Sequence, residues 1–389
     1  TPSNGVVALT WSPSATATSY YVKRSAASGG PYMTNATVAV ANYTDTQVTN
    51  GVTYYYVVSA VNAAGQSPDS AEVSATPYAP AFVVVTTNVF DDYFSASTLN
   101  SASPSAPTAA GTSYEMVSSK AWAVANISSG HLKFGINATS SGTVEAQALF
   151  ANPVALTTVG DSISLVVTFT NTAGLLTANG ARGFGFYASG GNFPVPGGLN
   201  GPATTGSSAN ATGNAQMWVG YVGQLSFTGA DSQIITRPAQ TEGTLYNNDQ
   251  DLVTTGSGSS SYNYPAGSTI GSSSSASVAL TIGNPYTEVL TMTLAANNSL
   301  AITNSFYSGA DTNGALVSQF GGVASGANYL TDTFDALAVG WRETGSQATA
   351  IDINNIAVNS TLTVEQTNQI SRVSTNIAFQ VAGNVLQLS

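Results

Sequence analysis

Apolar and polar side chains alternate along much of this chain, and that alternation limits the folds it can adopt. In the run Ser162–Thr170, the residues Ile163, Leu165, Val167 and Phe169 occupy every second position. In an extended strand such residues share one face, and a core must cover that face. No stretch of useful length shows the helical period of 3.6 residues. The sequence therefore predicts an all-β protein of stacked antiparallel sheets.

The chain contains no cysteine, so neither disulfide bonds nor thiolate-bound metals can hold the sheets together. Its 389 residues exceed the size of one ordinary core, and we expect two domains. Each domain must then be stabilised by burial of its own apolar side chains.

Charged residues are scarce, at 7% of the chain, and the net charge is −11. Binding to nucleic acid requires clustered Lys and Arg, and we find no such cluster among the 8 basic residues. No apolar run is long enough to span a bilayer, so we expect neither a nucleic-acid partner nor membrane insertion. A surface rich in Ser, Thr and Asn and poor in Lys is typical of bacterial extracellular proteins. It predicts a secreted protein of the bacterial cell surface.

Residues 1–77 are predicted to form a small sandwich of short strands. Its predicted strands are Val6–Trp11, Ser19–Arg24, Thr37–Val40, Thr53–Asn62 and Ala71–Ala75. Three segments, Leu9–Trp11, Ser19–Ser25 and Gly51–Asn62, resemble strands B, C and F of a fibronectin type III domain. The resemblance implies that Tyr54 is the tyrosine-corner residue and that Trp11 lies in the core between two sheets.

A short linker is predicted at residues 78–81, where Pro77 and Pro80 favour extended backbone. Residues 82–368 are expected to form one large antiparallel two-sheet sandwich. Its predicted strands are Leu132–Ile136, Ser162–Thr170, Gly183–Ala188, Gln216–Leu225, Ser277–Ile282, Glu288–Leu294, Leu300–Thr303, Phe334–Arg342, Ala350–Val358 and Thr361–Val364. Two segments rich in Gly, Ser and Thr, Pro196–Ala215 and Thr254–Ala276, are predicted as loops.

Five segments of this second domain resemble the concanavalin-like jelly rolls, of the LamG and glucanase type, of secreted proteins from Verrucomicrobia-like and Planctomycetes-like bacteria. They are Val89–Phe94, Val159–Leu165, Arg182–Tyr187, Phe334–Gly340 and Ile351–Ile356. These are mainly packing motifs, so the resemblance implies a fold and not a function.

The last segment, residues 369–389, is predicted to contribute strands at the C-terminus. Ile377–Ser389 looks like the opening hairpin of a further domain, and such a hairpin is marginal alone. It starts a further domain, pairs with the body of the same chain, pairs with a neighbouring subunit, or is disordered.

The sequence predicts no catalytic residue. His131 is the only histidine, and no Gly-x-Ser-x-Gly elbow accompanies it. The paired-carboxylate string Glu-x-Asp-x-x-Glu of jelly-roll glucanases is also absent. A glycoside hydrolase or lyase with a non-standard site remains a third reading, and its carboxylates would come from Asp249, Asp251, Asp335 and Glu343.

Three aspartates form the predicted metal site. In jelly rolls of this class the first and the late strands meet at a structural Ca²⁺, and the resemblance implies such a site at Asp91, Asp92 and Asp335. The alternative is that these aspartates cap turns and strand ends. No other cofactor is required.

Carbohydrate binding needs exposed aromatic faces together with polar groups. The candidate residues are Trp122, Arg182, Trp218, Tyr221 and Trp341. The alternative for each of them is burial in the core.

Taken together, these features predict a non-catalytic structural or adhesion protein that assembles with itself by strand addition. The alternative function is a carbohydrate-binding module of a secreted polysaccharide-degrading enzyme. The expected partners are therefore further copies of the chain or an extracellular polysaccharide.

Overall fold

The computed structural model of the protein describes most of the chain. The described residues are 1–94, 113–118, 123–136, 142–173, 181–190, 218–226, 232–239, 269–273, 280–343, 349–366, 379–381 and 386–388. The chain forms two compact units, one of Thr1–Val83 with Val364–Ser389 and the other of Val84–Thr363. No helix within the described residues is long and apolar enough to cross a membrane.

The first unit is a small β-sandwich. Its N-terminal strands are β1 (Pro2–Ser3), β2 (Val6–Thr10), β3 (Ser19–Ser25), β4 (Met33–Val38), β5 (Asn42–Asp45), β6 (Tyr54–Asn62), β7 (Gly65–Gln66) and β8 (Val73–Ala75). One sheet has the order β1-β2-β5, and the other has the order β4-β3-β6-β7 with β8 also paired to β6. The apolar side chains of Val7, Trp11, Tyr20, Val22 and Tyr56 fill the space between them.

Two predictions for this unit are confirmed. Trp11 is buried and packs edge to face against Tyr20, with 5.4 Å between ring centroids. The Tyr54 hydroxyl accepts a hydrogen bond from the backbone N–H of Thr49, five residues upstream, at 3.1 Å. This bond ties the chain to the start of β6, as a tyrosine corner does.

Strand β5 was not predicted, because its sequence Asn42-Tyr43-Thr44-Asp45 is almost entirely polar. It forms because the buried Asp45 carboxylate has its hydrogen-bonding capacity satisfied. The carboxylate accepts hydrogen bonds from Arg24 Nη1 at 2.8 Å, the Tyr56 hydroxyl at 2.9 Å and the backbone N–H of Gln47 at 3.0 Å. For the strand that precedes β5 in the sequence, the prediction Thr37–Val40 was misplaced, since β4 covers Met33–Val38.

The second unit holds the large sandwich. Its strands include β9 (Ala81–Asp92), β10 (Ser113–Ser118), β11 (Ala123–Ser128), β12 (His131–Ile136), β13 (Gly142–Ala155), β14 (Ser162–Ala173), β15 (Ala181–Ala188), β16 (Val219–Ser226), β17 (Ser232–Arg237), β18 (Thr269–Ser273), β19 (Pro285–Ala295), β20 (Ser299–Ser308), β21 (Ala315–Ala324), β22 (Thr333–Glu343) and β23 (Thr349–Gln366). A short 3-10 turn, Gly326–Asn328, precedes β22.

These strands build two sheets that face each other. One has the order β10-β13-β22-β15-β16-β17-β18, and the other has the order β11-β12-β23-β14-β19-β20-β21, with β9 paired to β23. Adjacent strands within each sheet pair antiparallel, as the residue pairs Ile163↔Met292 and Phe184↔Val339 illustrate. Alternate residues of both sheets, such as Leu165, Phe184 and Leu290, form one continuous apolar core. The predicted fold class, a small sandwich followed by a large antiparallel jelly-roll sandwich, is confirmed.

Three strand predictions in this unit need correction. Ala350–Val358 and Thr361–Val364 belong to the single strand β23, which continues because β14 pairs with it as far as Thr361. The end of Ser277–Ile282 is not a strand: residues 280–284 turn, and the N–H of Thr281 donates to the Tyr286 hydroxyl at 2.7 Å. Strand β18 lies inside Thr254–Ala276, which was predicted as a loop.

Glycines allow strands β18 and β21 to approach closely. A Cβ atom on Gly271 would lie 2.2 Å from the carbonyl oxygen of Gly321, and one on Gly322 would lie 2.5 Å from the carbonyl oxygen of Ile270. Any side chain at these positions would collide with backbone. The two sheets therefore meet here backbone to backbone.

The C-terminal segment of the first unit contains two further strands. They are β24 (Phe379–Val381) and β25 (Leu386–Leu388), which pair antiparallel with Gln380 opposite Gln387. Among the residues that the structure describes, this hairpin pairs with no other strand.

Candidate functional site

The aromatic and basic residues predicted to bind carbohydrate do not form an exposed surface. Arg182, Trp218 and Tyr221 are 0% exposed, and Trp341 is 1% exposed. A sugar ring cannot stack on any of these four side chains, so the prediction is corrected for them. Trp122 lies outside the described residues.

The Tyr221 side chain and the Trp218 backbone instead fix neighbouring segments. The Tyr221 hydroxyl accepts hydrogen bonds from the backbone N–H groups of Leu330 at 2.6 Å and Thr331 at 3.2 Å. The carbonyl oxygen of Trp218 accepts a hydrogen bond from Arg237 Nη1. These contacts hold the turn before β22 and the end of β17, and they give the Tyr221 side chain a structural role.

Arg182 forms an ion pair that crosses between the two sheets. Its Nη2 lies 2.8 Å from Oε2 of Glu288, and both side chains are fully buried. The guanidinium carbon lies 4.3 Å from the ring centroid of Phe169 and 4.6 Å from that of Phe306. The other Glu288 oxygen accepts a hydrogen bond from Asn304 Nδ2 at 2.6 Å.

Burial shifts the pKa of each partner in the direction that favours its neutral form. Loss of hydration lowers the pKa of Arg182 to about 10, although the charge of Glu288 opposes that shift. Loss of hydration also raises the pKa of Glu288, against the opposing effects of Arg182 and Asn304. The pair is a polar cross-link within the core, shielded from solvent and from any substrate.

The sequence carried a signal for this pair that the prediction overlooked. Arg182 has the same parity as Phe184 and Phe186, and Glu288 has the same parity as Leu290 and Met292. Residues of equal parity share a strand face, so both charges belong on the core side.

The three aspartates of the predicted calcium site do not come together. Asp91 accepts a hydrogen bond from Asn355 Nδ2 at 2.8 Å, and Asp92 accepts one from the N–H of Phe94 at 2.7 Å. Both oxygens of Asp335 are engaged by Ser189, at 2.7 Å from its N–H and 2.6 Å from its hydroxyl. Within the described part of the chain, no three His, Asp or Glu side chains converge on one point. The residues therefore do not fit the three-carboxylate site, and they cap turns and strand ends instead.

Of the carboxylates expected for a glycoside hydrolase or lyase, only Asp335 has a side chain within the described residues. Asp335 has the capping role just described, while Asp249, Asp251 and the side chain of Glu343 lie outside the described residues. His131 begins β12, opposite Ser128 of β11.

Among the described residues, the longest run of consecutive exposed large apolar side chains is Phe82–Val85, in the first part of β9, which we call the outer β9 segment (Ala81–Asn88). All eight of its residues are exposed, on both faces of the strand. Its only described neighbour is β23: Thr86 Oγ1 lies 3.0 Å from Thr361 Oγ1, and Asn88 Nδ2 donates to Asn359 Oδ1 at 3.2 Å. From the first contact to the second, the residue number rises along β9 and falls along β23, so the two strands are antiparallel. The segment contains no charged residue.

Comparison with known proteins finds similarity in two parts. No family model matches the chain. Over 79 residues the chain is 47% identical to an amylopullulanase of Thermoanaerobacter thermohydrosulfuricus, a match that covers 20% of this chain and 5% of the relative. The chain thus spans only a small part of the curated relatives it matches.

Two solved structures are also similar to parts of this chain. A Fn3-like protein from Clostridium thermocellum is 47% identical, covering 20% of this chain and 81% of that one, with a TM-score of 0.19. A lectin, UEA-II in complex with galactose, is 13% identical, covering 72% of this chain and 99% of that one, with a TM-score of 0.33. By sequence, the N-terminal region of this chain therefore matches a fibronectin type III-like domain.

Proposed function

We propose that this chain is a non-catalytic extracellular protein with a structural or adhesive role at a bacterial cell surface or appendage. The observation that carries the proposal is the outer β9 segment, an uncharged strand exposed on both faces. Contiguous exposed apolar surface of this kind marks sites of protein interaction. A role in assembly or attachment accounts for it.

Two further features support the proposal. The polar groups described above, the buried Asp45 and Glu288 and the half-buried Asp335, are all engaged in hydrogen bonds within the sandwiches. The fibronectin type III-like unit is compact and precedes the larger sandwich in the sequence. The protein thus combines rigid units with a neutral, hydroxyl-rich surface.

Localisation and activity measurements test this function. Immunogold labelling of the source bacterium should place the protein on the cell surface or its appendages, and label confined to the cytoplasm would contradict the proposal. Incubation of the purified chain with a panel of polysaccharides should release neither reducing ends nor unsaturated sugars. Release of either product would identify an enzyme instead.

Carbohydrate binding is the second candidate function. It is favoured by the 47% identity of the N-terminal region to an amylopullulanase. The binding surface cannot be Arg182, Trp218, Tyr221 or Trp341, because all four are buried.

Pull-down on insoluble starch and affinity electrophoresis in pullulan test this candidate. Retention by either polymer, unchanged by Trp341→Phe, would support binding through a surface other than the predicted aromatics. Absence of retention across a wider polysaccharide panel would remove the candidate.

A further inference from the structure

Asparagine is followed directly by glycine at several places in this chain, and such a pair can modify itself in water. The Gly nitrogen attacks Cγ of the Asn side chain and closes a succinimide ring. The Cγ–Nδ2 bond breaks, and ammonia leaves with the proton of the Gly N–H. Water then opens the ring to aspartate or isoaspartate. Glycine favours the reaction because no side chain shields its nitrogen.

The pairs within the described residues are Asn4-Gly5, Asn50-Gly51 and Asn313-Gly314. Two more, Asn179-Gly180 and Asn200-Gly201, lie outside the described residues. Exposure does not separate the first set, because the side chains of Asn4 and Asn313 are both exposed. What separates them is the Gly nitrogen: when its N–H is held in a short hydrogen bond, that bond must break before the nitrogen can attack.

In the first unit, hydrogen bonds occupy both Gly nitrogens. The N–H of Gly5 donates to Asn50 Oδ1 at 2.8 Å, and Asn50 Nδ2 donates in turn to Asn4 Oδ1 at 2.8 Å. The N–H of Gly51 donates to the carbonyl oxygen of Pro77 at 2.7 Å. The Asn50 side chain therefore blocks the reaction at Asn4, while Pro77 blocks the reaction at Asn50.

The pair in the turn between β20 and β21 is held much less firmly. The N–H of Gly314 reaches the carbonyl oxygen of Asp311 at 3.4 Å. That separation exceeds the usual N–H···O range of about 2.7–3.2 Å. The backbone N–H of Asn313 donates to Asp311 Oδ1 at 2.8 Å, which closes the turn. Within the described part of the chain, the side-chain amide of Asn313 makes no hydrogen bond.

We propose that Asn313 is a site of spontaneous deamidation and that Asn50 protects Asn4 from the same reaction. The inference does not depend on the proposed function. Deamidation of Asn313 adds one negative charge beside Asp311 in a chain whose net charge is −11. The isoaspartate product also adds a methylene to the backbone of the turn, directly before β21 begins at Ala315.

Peptide mapping by mass spectrometry tests the reactive site. The full chain is incubated at mildly alkaline pH and cleaved after aromatic residues, which places the three asparagines in different peptides. We expect the acid and isoaspartate products at Asn313, with Asn4 and Asn50 still amides. Asn313→Gln is the matched variant and should lose the signal, because glutamine would have to close a larger ring. Gly314→Ala is unsuitable, since its Cβ would lie 1.6 Å from the carbonyl oxygen of Ser308.

Two variants of Asn50 test the protection. Asn50→Ala removes the acceptor of the Gly5 N–H, so Asn4 should deamidate several-fold faster than in the wild type. Asn50→Asp keeps an oxygen at that place, so Asn4 should stay protected. Circular dichroism checks that both variants are folded.

The wild-type chain in urea provides a test that needs no variant. Once the fold is lost, all three asparagines should deamidate at similar rates, because each is followed by glycine. Three results would overturn the proposal: Asn4 reacting as fast as Asn313 in the folded chain, Asn313 reacting in urea but not in the folded chain, or Asn4 remaining slow in urea. A folded Asn50→Ala variant with Asn4 still intact would overturn the protective role of Asn50.

Discussion

At the scale of single residues, Asp161 shows how a short motif fixes a fold. Its Oδ2 accepts hydrogen bonds from the N–H groups of Thr157 at 2.9 Å and Thr158 at 2.8 Å. Its Oδ1 accepts one from the N–H of Thr363 on β23 at 2.7 Å. One carboxylate therefore joins the turn before β14 to a strand some 200 residues later. The sequence identified Val159–Leu165 as a packing motif, but it could not name Thr363 as the partner because the contact is remote in sequence.

Replacement of Asp161 by Asn should destabilise the large sandwich by about 2 kcal/mol at neutral pH, because charge-assisted hydrogen bonds are lost. Burial opposes ionisation of this carboxyl, but the three backbone donors outweigh it, so the pKa of Asp161 lies below its usual 3.8. A lowered pKa stabilises the fold fully above the unfolded-state value and loses that effect as the pH falls through the folded-state value.

Urea unfolding at neutral and acidic pH would measure this effect. The difference in unfolding free energy between wild type and Asp161→Asn should shrink below about pH 4. A difference that grows in acid would contradict the assignment.

Truncation of one partner of the buried ion pair should be far more damaging than removal of both. Arg182→Met leaves the Glu288 carboxylate buried without its cation, and we expect a loss of about 3–5 kcal/mol in the free energy of unfolding. The double variant Arg182→Met with Glu288→Leu should recover most of that loss, since no charge is then buried. A double variant as unstable as the single one would show that packing, not charge, dominates.

An exposed ion pair provides the control for that comparison. Lys133 Nζ lies 3.5 Å from Asp352 Oδ2, with side chains 36% and 17% exposed. Lys133→Met should cost less than about 1 kcal/mol, because water solvates the remaining carboxylate. Chemical denaturation of all the variants under the same conditions makes the comparison direct.

At the scale of elements, the period-two pattern predicted strands well where one face is apolar. Strand β14 was predicted as Ser162–Thr170 and runs Ser162–Ala173. The pattern failed where a strand has no core face: β5 is held by Asp45, and the outer β9 segment is exposed on both sides. Strand β18, Thr-Ile-Gly-Ser-Ser, has almost no apolar content; it pairs with β17 and lies close to the backbone of β21. Such strands depend on neighbours that a single sequence does not identify.

Gly271→Ala should test that close approach. The added Cβ would meet the Gly321 carbonyl, which is backbone and cannot rotate away, and we expect a destabilisation of about 3 kcal/mol. Gly223→Ala is the matched control, because its Cβ would lie 3.0 Å from atoms of the Asn304 and Leu290 side chains, which can adjust. Thermal unfolding should rank Gly271→Ala well below Gly223→Ala, and equal melting temperatures would contradict the contact.

At the scale of the whole molecule, the architecture was easier to predict than the site. Alternation, absence of cysteine and the strand-B, strand-C and strand-F resemblance were enough for the all-β fold, for the core position of Trp11 and for the tyrosine-corner bond of Tyr54. The site residues failed because Trp218, Tyr221 and Trp341 were judged by residue type, and exposure cannot be judged by type alone. The three predicted calcium ligands do not converge, because proximity of strand ends does not fix where Asp335 points, and here it points to Ser189.

The buried pair of Arg182 and Glu288 has a consequence for how the large sandwich reaches its final alignment. A slip of β15 by one position would turn Arg182 outward and leave Glu288 facing Phe169 and Phe306 without a counter-ion. Misaligned intermediates would thus carry a penalty of about 3–5 kcal/mol that the native arrangement does not. In a protein whose strands are rich in interchangeable small residues, this buried ion pair therefore favours the native register of β15 over one shifted by a single residue.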